Sequence, residues 1–450
     1  MRIWIKNPLS VYVEDSDASV SGLVIRDNVI EEILTSGQSP QHAIDLTMDA
    51  SNLVVTPGLV NTHHHYYQTL TRAFPDALNK ELFTWLKSLY PVWAGLDEDM
   101  IHASSQLASI ELMLSGCTTS ADHHYLFPER IPQALDVQVD AVKDLGLRST
   151  LTRGSMSLGE DQGGLPPRTT IQDADTILSD CERVVGAYHD GNFGSHLQIA
   201  LAPCSPFSVT RQLMIDGATL ARRLGVRLHT HLAETHDETE FCLKTTGYRP
   251  LDYLDDVEWL SDDVWLAHGI HFNETEIERL GKARVGITHC PSSNMVLGSG
   301  ICRNLELESA GVPVGLGVDG SASNDGSNMI QECRQALLIQ RLRYGSAAVT
   351  HQSALRWATS GSAACLGRKD IGRIAPGLLA DLAFFSLDEL RFSGSGDPLA
   401  ALLLCGAHQA RHVMVGGQWV VKDNEFLHAD IHELKHNHRQ QALRLANKVQ

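Results

Sequence analysis

Between about residue 56 and residue 365, short β-rich apolar runs alternate with longer helical patterns, and the alternation continues through eight strand segments. The runs are 53–60, 118–122, 148–153, 197–203, 227–231, 264–268, 284–289 and 314–319. Helical periodicity separates them, as at 100–114, 131–144, 176–188, 211–224, 274–280 and 329–344. Strands joined by helices must run parallel, and eight such units close most simply into a (β/α)₈ barrel. Residues 1–55 and the stretch after 370 have a different texture, of short strands and turn dipeptides. The expected fold is therefore α/β: a TIM-type barrel over 56–370 beside a small β-sandwich domain formed by both chain ends, 1–55 plus 371–430. A polar helical tail at 431–450 completes the chain.

The polar residues sit at particular places in this pattern. His63 and His65, Asp122, His123 and His124, Arg153, His231, His268, His289 and Asp319 all fall at or just beyond the carboxyl ends of the runs. Active sites of barrels gather at that end. Side chains alternate along a strand, so His63 and His65 share one face and His64 takes the other. Two imidazoles on one rigid element are half of a zinc or iron site. His231, ending strand five, is the candidate third ligand. Glu234, three residues on, could reach back as a proton shuttle. His268 could be a ligand or a hydrogen-bond partner of the site. Asp319 ends a buried apolar run, and a metal would supply the partner its burial requires.

Composition narrows the alternatives. A formal net charge of -18 argues against nucleic acid or an anionic membrane surface as a partner. No apolar stretch approaches the roughly 20 residues needed to cross a bilayer, and the first residues lack a secretory signal pattern. Nine cysteines without a C-x-x-C pair fit a reducing, cytoplasmic setting. His432-Glu433-Leu434-Lys435-His436 matches the H-E-x-x-H zinc motif. It lies in a polar helix with no evident apolar face and is set aside. His236-Asp237-Glu238 resembles the H-x-E motif of one class of zinc enzymes, but no P-C-x-x-C follows it.

The set Pro57-Gly58-Leu59-Val60-Asn61-Thr62-His63-His64-His65, His231-x-x-Glu234, His268 and Asp319-Gly320-x-x-Ser323-Asn324 resembles the amidohydrolase superfamily, and within it the mononuclear-metal deaminase branch. The resemblance covers nearly the whole chain, and Asp381 belongs to the family's returning β segment. Ala202-Pro203-Cys204-Ser205-Pro206 offers no lysine where binuclear members carry a bridging one, so a single metal is expected. The resemblance implies that His63, His65, His231 and Asp319 hold one divalent ion, zinc in first place and iron as the alternative. It implies that Asp319 takes the proton of a bound water, that Glu234 protonates the ring nitrogen, and that His268 stabilises the tetrahedral adduct.

For substrate contacts it points to Gln68, Trp85, Arg153 and Glu234. Gln68 stands three residues beyond His65, and an amide that both donates and accepts suits a lactam edge. The expected substrate is an aminated purine-type ring. The favoured reaction is hydrolytic loss of the 2-amino group of 8-oxoguanine, giving uric acid and ammonia. Guanine, isocytosine, S-adenosylhomocysteine or a chlorotriazine are alternatives, and a non-catalytic scaffold is the remotest reading. The resemblance also implies a homo-oligomer, at least a dimer.

Overall fold

A computed structural model describes residues 1–16 and 19–448. The last two residues of the expected tail lie outside the described residues. Eight parallel strands form one sheet in sequence order: Leu59–Asn61, Cys117–Asp122, Arg148–Ser155, Leu197–Pro203, Leu228–Leu232, Val264–His268, Gly286–His289 and Val314–Leu316. The sheet curls until its ends meet. Thr62 N–H donates to the Leu316 carbonyl at 3.0 Å and Asp319 N–H to the His63 carbonyl at 3.0 Å. Helices cover the outside, so all but three residues of these strands are buried. The expected (β/α)₈ barrel is the observed one.

The two chain ends supply a four-stranded and a six-stranded sheet. Their apposed faces share one core, in which Ile3, Ile5, Leu23 and Ile25 meet Leu53, Val55, Leu382, Phe384 and Met414. The two-residue turn at Gly416 and Gly417, with φ of 53° and 76°, joins His412–Val415 to Gln418–Lys422. Both positions have the left-handed backbone that a tight antiparallel hairpin needs.

One expectation about the first barrel strand fails. The apolar run 53–60 is two strands in two sheets. Leu53–Pro57 pairs with Leu382–Ser386 in the six-stranded sheet, and only Leu59–Asn61 enters the barrel, beside Cys117–Asp122. Gly58 is the pivot. Its N–H donates to the Asp381 carbonyl at 2.8 Å, and a Cβ there would overlap the Thr118 side chain.

The tail also departs from expectation. Ile431–Asn447 is helical, but the helix has a buried face after all, made of Leu434, His438, Gln441 and Leu445. These recur at helical spacing, and two of the four are polar, which disguises the stripe. His438 Nε2 donates to Thr69 Oγ1 at 3.0 Å, behind the short helix Tyr66–Thr71. His432 and His436 of the H-E-x-x-H string are exposed. Among the described residues no helix is long and apolar enough to cross a membrane.

Barrel and sandwich are tied by a buried ion pair. Arg148 Nε and Nη2 donate to Asp381 at 2.7 and 3.1 Å, and the same carboxylate accepts Gly416 N–H at 2.6 Å. Removing one partner of such a pair strands the other charge. Asp381→Ala is expected to cost about 3–5 kcal/mol, read as a lowered midpoint in urea denaturation.

Candidate active site

The strand ends bring together most of the residues singled out above. His63 Nε2 and His65 Nε2 each lie 3.3 Å from Asp319 Oδ1, and His65 Nε2 lies 3.1 Å from His231 Nε2. His63, His231, His268 and Asp319 offer ligand atoms within 4.8 Å of one another, and so do His63, His65, His123 and His231. Which of these histidines present lone pairs follows from what their far nitrogens bond.

His65 Nδ1 is 2.7 Å from the His123 carbonyl, and His231 Nδ1 is 2.5 Å from the Cys204 carbonyl. A carbonyl only accepts, so in each ring Nδ1 carries the hydrogen and Nε2 presents its lone pair. His63 works through a relay. His229 Nδ1 donates to the Trp265 carbonyl at 2.8 Å, leaving His229 Nε2 to accept from His63 Nδ1 at 2.8 Å. His63 Nε2 is then also a lone pair, and it is buried without a hydrogen-bond partner. Burial pushes His63 and His231 well below the usual imidazole range, which keeps both rings neutral.

Three lone pairs and a carboxylate oxygen therefore converge. His65 and His231 point theirs at one another across 3.1 Å, an arrangement that repels unless a cation lies between. Donors about 2.0–2.1 Å from a tetrahedral zinc ion stand roughly 3.3–3.4 Å apart, close to the separations here. The donor set suits a divalent metal. Carbonyl-anchored imidazoles of this kind are typical partners of such an ion.

His268 is different. Asn294 Nδ2 donates to its Nδ1 at 3.1 Å, so the hydrogen of the neutral ring sits on Nε2, which faces Glu234 Oε2 at 3.5 Å. Burial lowers its pKa to about 4, so at neutral pH the ring is uncharged and acts as a donor. Glu234 is buried as well. Burial, then the charges of Asp319 and Glu238, hold its carboxyl well above the usual range, and Ser299 Oγ donates to its Oε1 at 3.3 Å. Asp319 is fixed by Ser293 Oγ, 2.6 Å from Oδ2, and by Gly320 N–H, 2.7 Å from Oδ1.

Ala233, His268 and Asp319 have φ of 55°, 76° and 62°. Left-handed backbone at non-glycine residues is uncommon, and here it recurs at or just after the ends of strands five, six and eight. Such strain collects at functional sites.

A cavity of about 280 Å³ opens over this cluster. His65, His231, His268, Asp319, Glu234 and Gln68 line its polar side. Trp85, Leu86, Tyr90, Leu165, Phe207 and Phe241 are among its apolar walls. Gln68 Oε1 accepts Ala322 N–H at 3.3 Å, and Trp85 Nε1 donates to the Ala322 carbonyl at 3.2 Å. One loop thus steadies both residues.

Arg153 is a correction. Its side chain points to the helix side of the barrel, where it donates to Asp180 at 2.6 Å and Gln172 at 2.8 Å and stacks 3.7 Å from the Phe127 ring. It does not line the cavity. His64 does take the far face, with Nδ1 accepting its neighbour's N–H at 2.7 Å. His123 packs against His231, ring centroids 4.7 Å apart, and donates to the Ala202 carbonyl at 3.1 Å. His289 is held by Asn304 at 3.3 Å.

Several contributors escaped the sequence reading. His229 shares the strand face of His231, and alternation alone could have flagged it. Two buried carboxylates brace the site from helices. Glu332 accepts Ser292 N–H, Ser292 Oγ and Asn324 Nδ2. Glu238 accepts the N–H groups of Ala233 and Glu234, both at 2.7 Å. Burial pushes each up to about 7, against the pull of those hydrogen bonds.

A profile of the amidohydrolase family matches residues 54–420. The chain belongs to this family. It is 59% identical over 438 residues to the 8-oxoguanine deaminase of Pseudomonas aeruginosa, covering 97% of this chain and 98% of that protein. It is 36% identical to hydroxydechloroatrazine ethylaminohydrolase of Pseudomonas sp. strain ADP, covering 86% of this chain and 82% of that one. Among solved structures, atrazine chlorohydrolase of Arthrobacter aurescens in complex with zinc superposes with a TM-score of 0.92 at 30% identity, covering 98% of this chain and all of the other.

The His229 relay yields a test. His229→Ala removes the group that fixes the His63 tautomer. Metal affinity is expected to fall roughly 10–100-fold, measured by competition with a chromophoric chelator.

Proposed function

We propose that this protein is a metal-dependent hydrolytic deaminase of 8-oxoguanine, which adds water across the 2-amino carbon and releases uric acid and ammonia. The 59% identity over nearly the full length to an enzyme of that name carries the substrate assignment. We take the ion to be zinc, as in the related chlorohydrolase, held by His63, His65, His231 and Asp319. A divalent ion at this position supplies Lewis-acid chemistry, making the proton of a coordinated water easier to remove.

The remaining chemistry belongs to side chains. Asp319 accepts the proton of the attacking water. Glu234 is kept protonated by burial and by the neighbouring carboxylates, so it can deliver a proton to the ring nitrogen beside the amine-bearing carbon. Protonating that nitrogen makes the carbon electrophilic. His268, neutral with its hydrogen on Nε2, donates to the oxygen added at that carbon. Asp319 then gives its proton to the amine, which leaves as ammonia while the added hydroxyl becomes the ring carbonyl. The proton that hydroxyl sheds returns to Glu234, so both carboxyl groups end as they began. Gln68 presents its amide to the lactam edge, and Trp85 walls one side of the slot. The apolar remainder of the cavity excludes bulk water, which strengthens each of these hydrogen bonds. At 280 Å³ the space lies near the lower end for small-molecule sites, roughly 300–1,000 Å³, as a bare heterocycle requires.

Ammonia release from 8-oxoguanine, guanine, isocytosine, cytosine, S-adenosylhomocysteine and a chlorotriazine tests the assignment. The highest kcat/KM is expected for 8-oxoguanine. Rapid turnover of S-adenosylhomocysteine with none of 8-oxoguanine would overturn it. Glu234→Gln is expected to lower kcat by roughly 10²–10⁴ while metal content stays at one ion per chain. Wild-type kcat should fall toward alkaline pH as Glu234 loses its proton, and that limb should be missing from the residual activity of the variant.

A further inference from the structure

The turn that carries Glu234 hangs on one buried carboxylate. Glu238 lies in the first turn of the helix His236–Thr246, which Thr235 caps by accepting Glu238 N–H at 3.3 Å. A glutamate at this position ordinarily turns back to the N–H of the capping residue. Glu238 reaches further. Its Oε1 accepts the N–H of Ala233 and its Oε2 that of Glu234, each at 2.7 Å. Ile270 and His271 grip the other face of the turn, donating to the Ala233 carbonyl at 2.9 and 3.0 Å. Ala233 itself is in the left-handed region at φ 55°, a conformation that relaxes unless both faces are held. Glu238 is 2% exposed and forms part of the cavity wall.

We propose that Glu238 is the positioning residue for Glu234, its two carboxylate oxygens fixing the backbone from which the proton-donating side chain reaches the ring nitrogen. The inference rests on the role given to Glu234 above. Its chemistry is specific to a carboxylate. Two parallel N–H groups need two acceptor oxygens, whereas an amide offers one and turns an NH₂ toward the other N–H. The loss is therefore a displacement of Glu234, and a displacement of about 1 Å in a reacting group costs roughly 100-fold in rate.

The test uses the metal-loaded protein and the variants E238Q, E234Q and E234Q/E238Q, with 8-oxoguanine as substrate. Glu238→Gln is expected to lower kcat roughly 100-fold with a much smaller change in KM and an unchanged metal content. The double variant is expected to be no slower than E234Q, because a residue that acts through Glu234 has nothing left to position. A double variant slowed by the full E238Q factor, or an E238Q loss that merely tracks lost metal or folded protein, would overturn the inference. Should E238Q fail to fold, E238D keeps both acceptors on a shorter stem and serves in the same cycle. Full activity in E234Q would instead remove the role of Glu234. An inactive E234Q beside a fully active E238Q would remove that of Glu238 alone.

Discussion

Each imidazole that presents a lone pair to the candidate metal position owes its orientation to a backbone carbonyl on another strand or strand end. The His123 carbonyl turns His65, the Cys204 carbonyl turns His231, and the Trp265 carbonyl turns His63 through His229. The His123 and Cys204 carbonyls lie just past the ends of their strands, and Trp265 lies within its own strand, beside His229 of the neighbouring one. The direction of the lone pairs is thus inherited from the fold, and shifting any one strand would turn a ring away.

The same rim sorts the histidines by role. Those anchored to carbonyls become acceptors, while His268, which receives an N–H from Asn294, becomes a donor. Neutral rings of both kinds coexist a few ångströms apart because burial suppresses their protonation. The carboxylates divide similarly. Asp319 accepts from Ser293 Oγ and Gly320 N–H, whereas Glu234 has the Ser299 hydroxyl, the His268 ring and two carboxyl neighbours. One environment favours a base and the other an acid.

Much of this was legible in the sequence. Eight apolar runs, seven of them ending in or just before a titratable histidine, aspartate or arginine, placed the barrel and its active end, and alternation separated His64 from His63 and His65. The failures have particular causes. The run 53–60 is apolar throughout because both of the sheets it serves are buried, so only Pro57-Gly58 marked the crossing. Arg153 lies on a strand whose eight residues are all buried, and alternation cannot tell inside from outside when both faces are covered. Glu238 looks like a solvated charge at a helix start, and only the path of the turn that folds over it shows otherwise. The tail helix hid its contact face by using His438 and Gln441 where leucines would have drawn the eye.

That tail helix has a practical meaning for anyone handling the protein. His438 bonds Thr69, the residue next to Gln68 of the cavity wall, so the back of that short helix leans on a segment more than 350 positions later in the chain. Purification tags and fusion partners placed after this helix are joined to an element that bonds the segment carrying Gln68. A change made at this helix is therefore a change made at the back of the cavity wall.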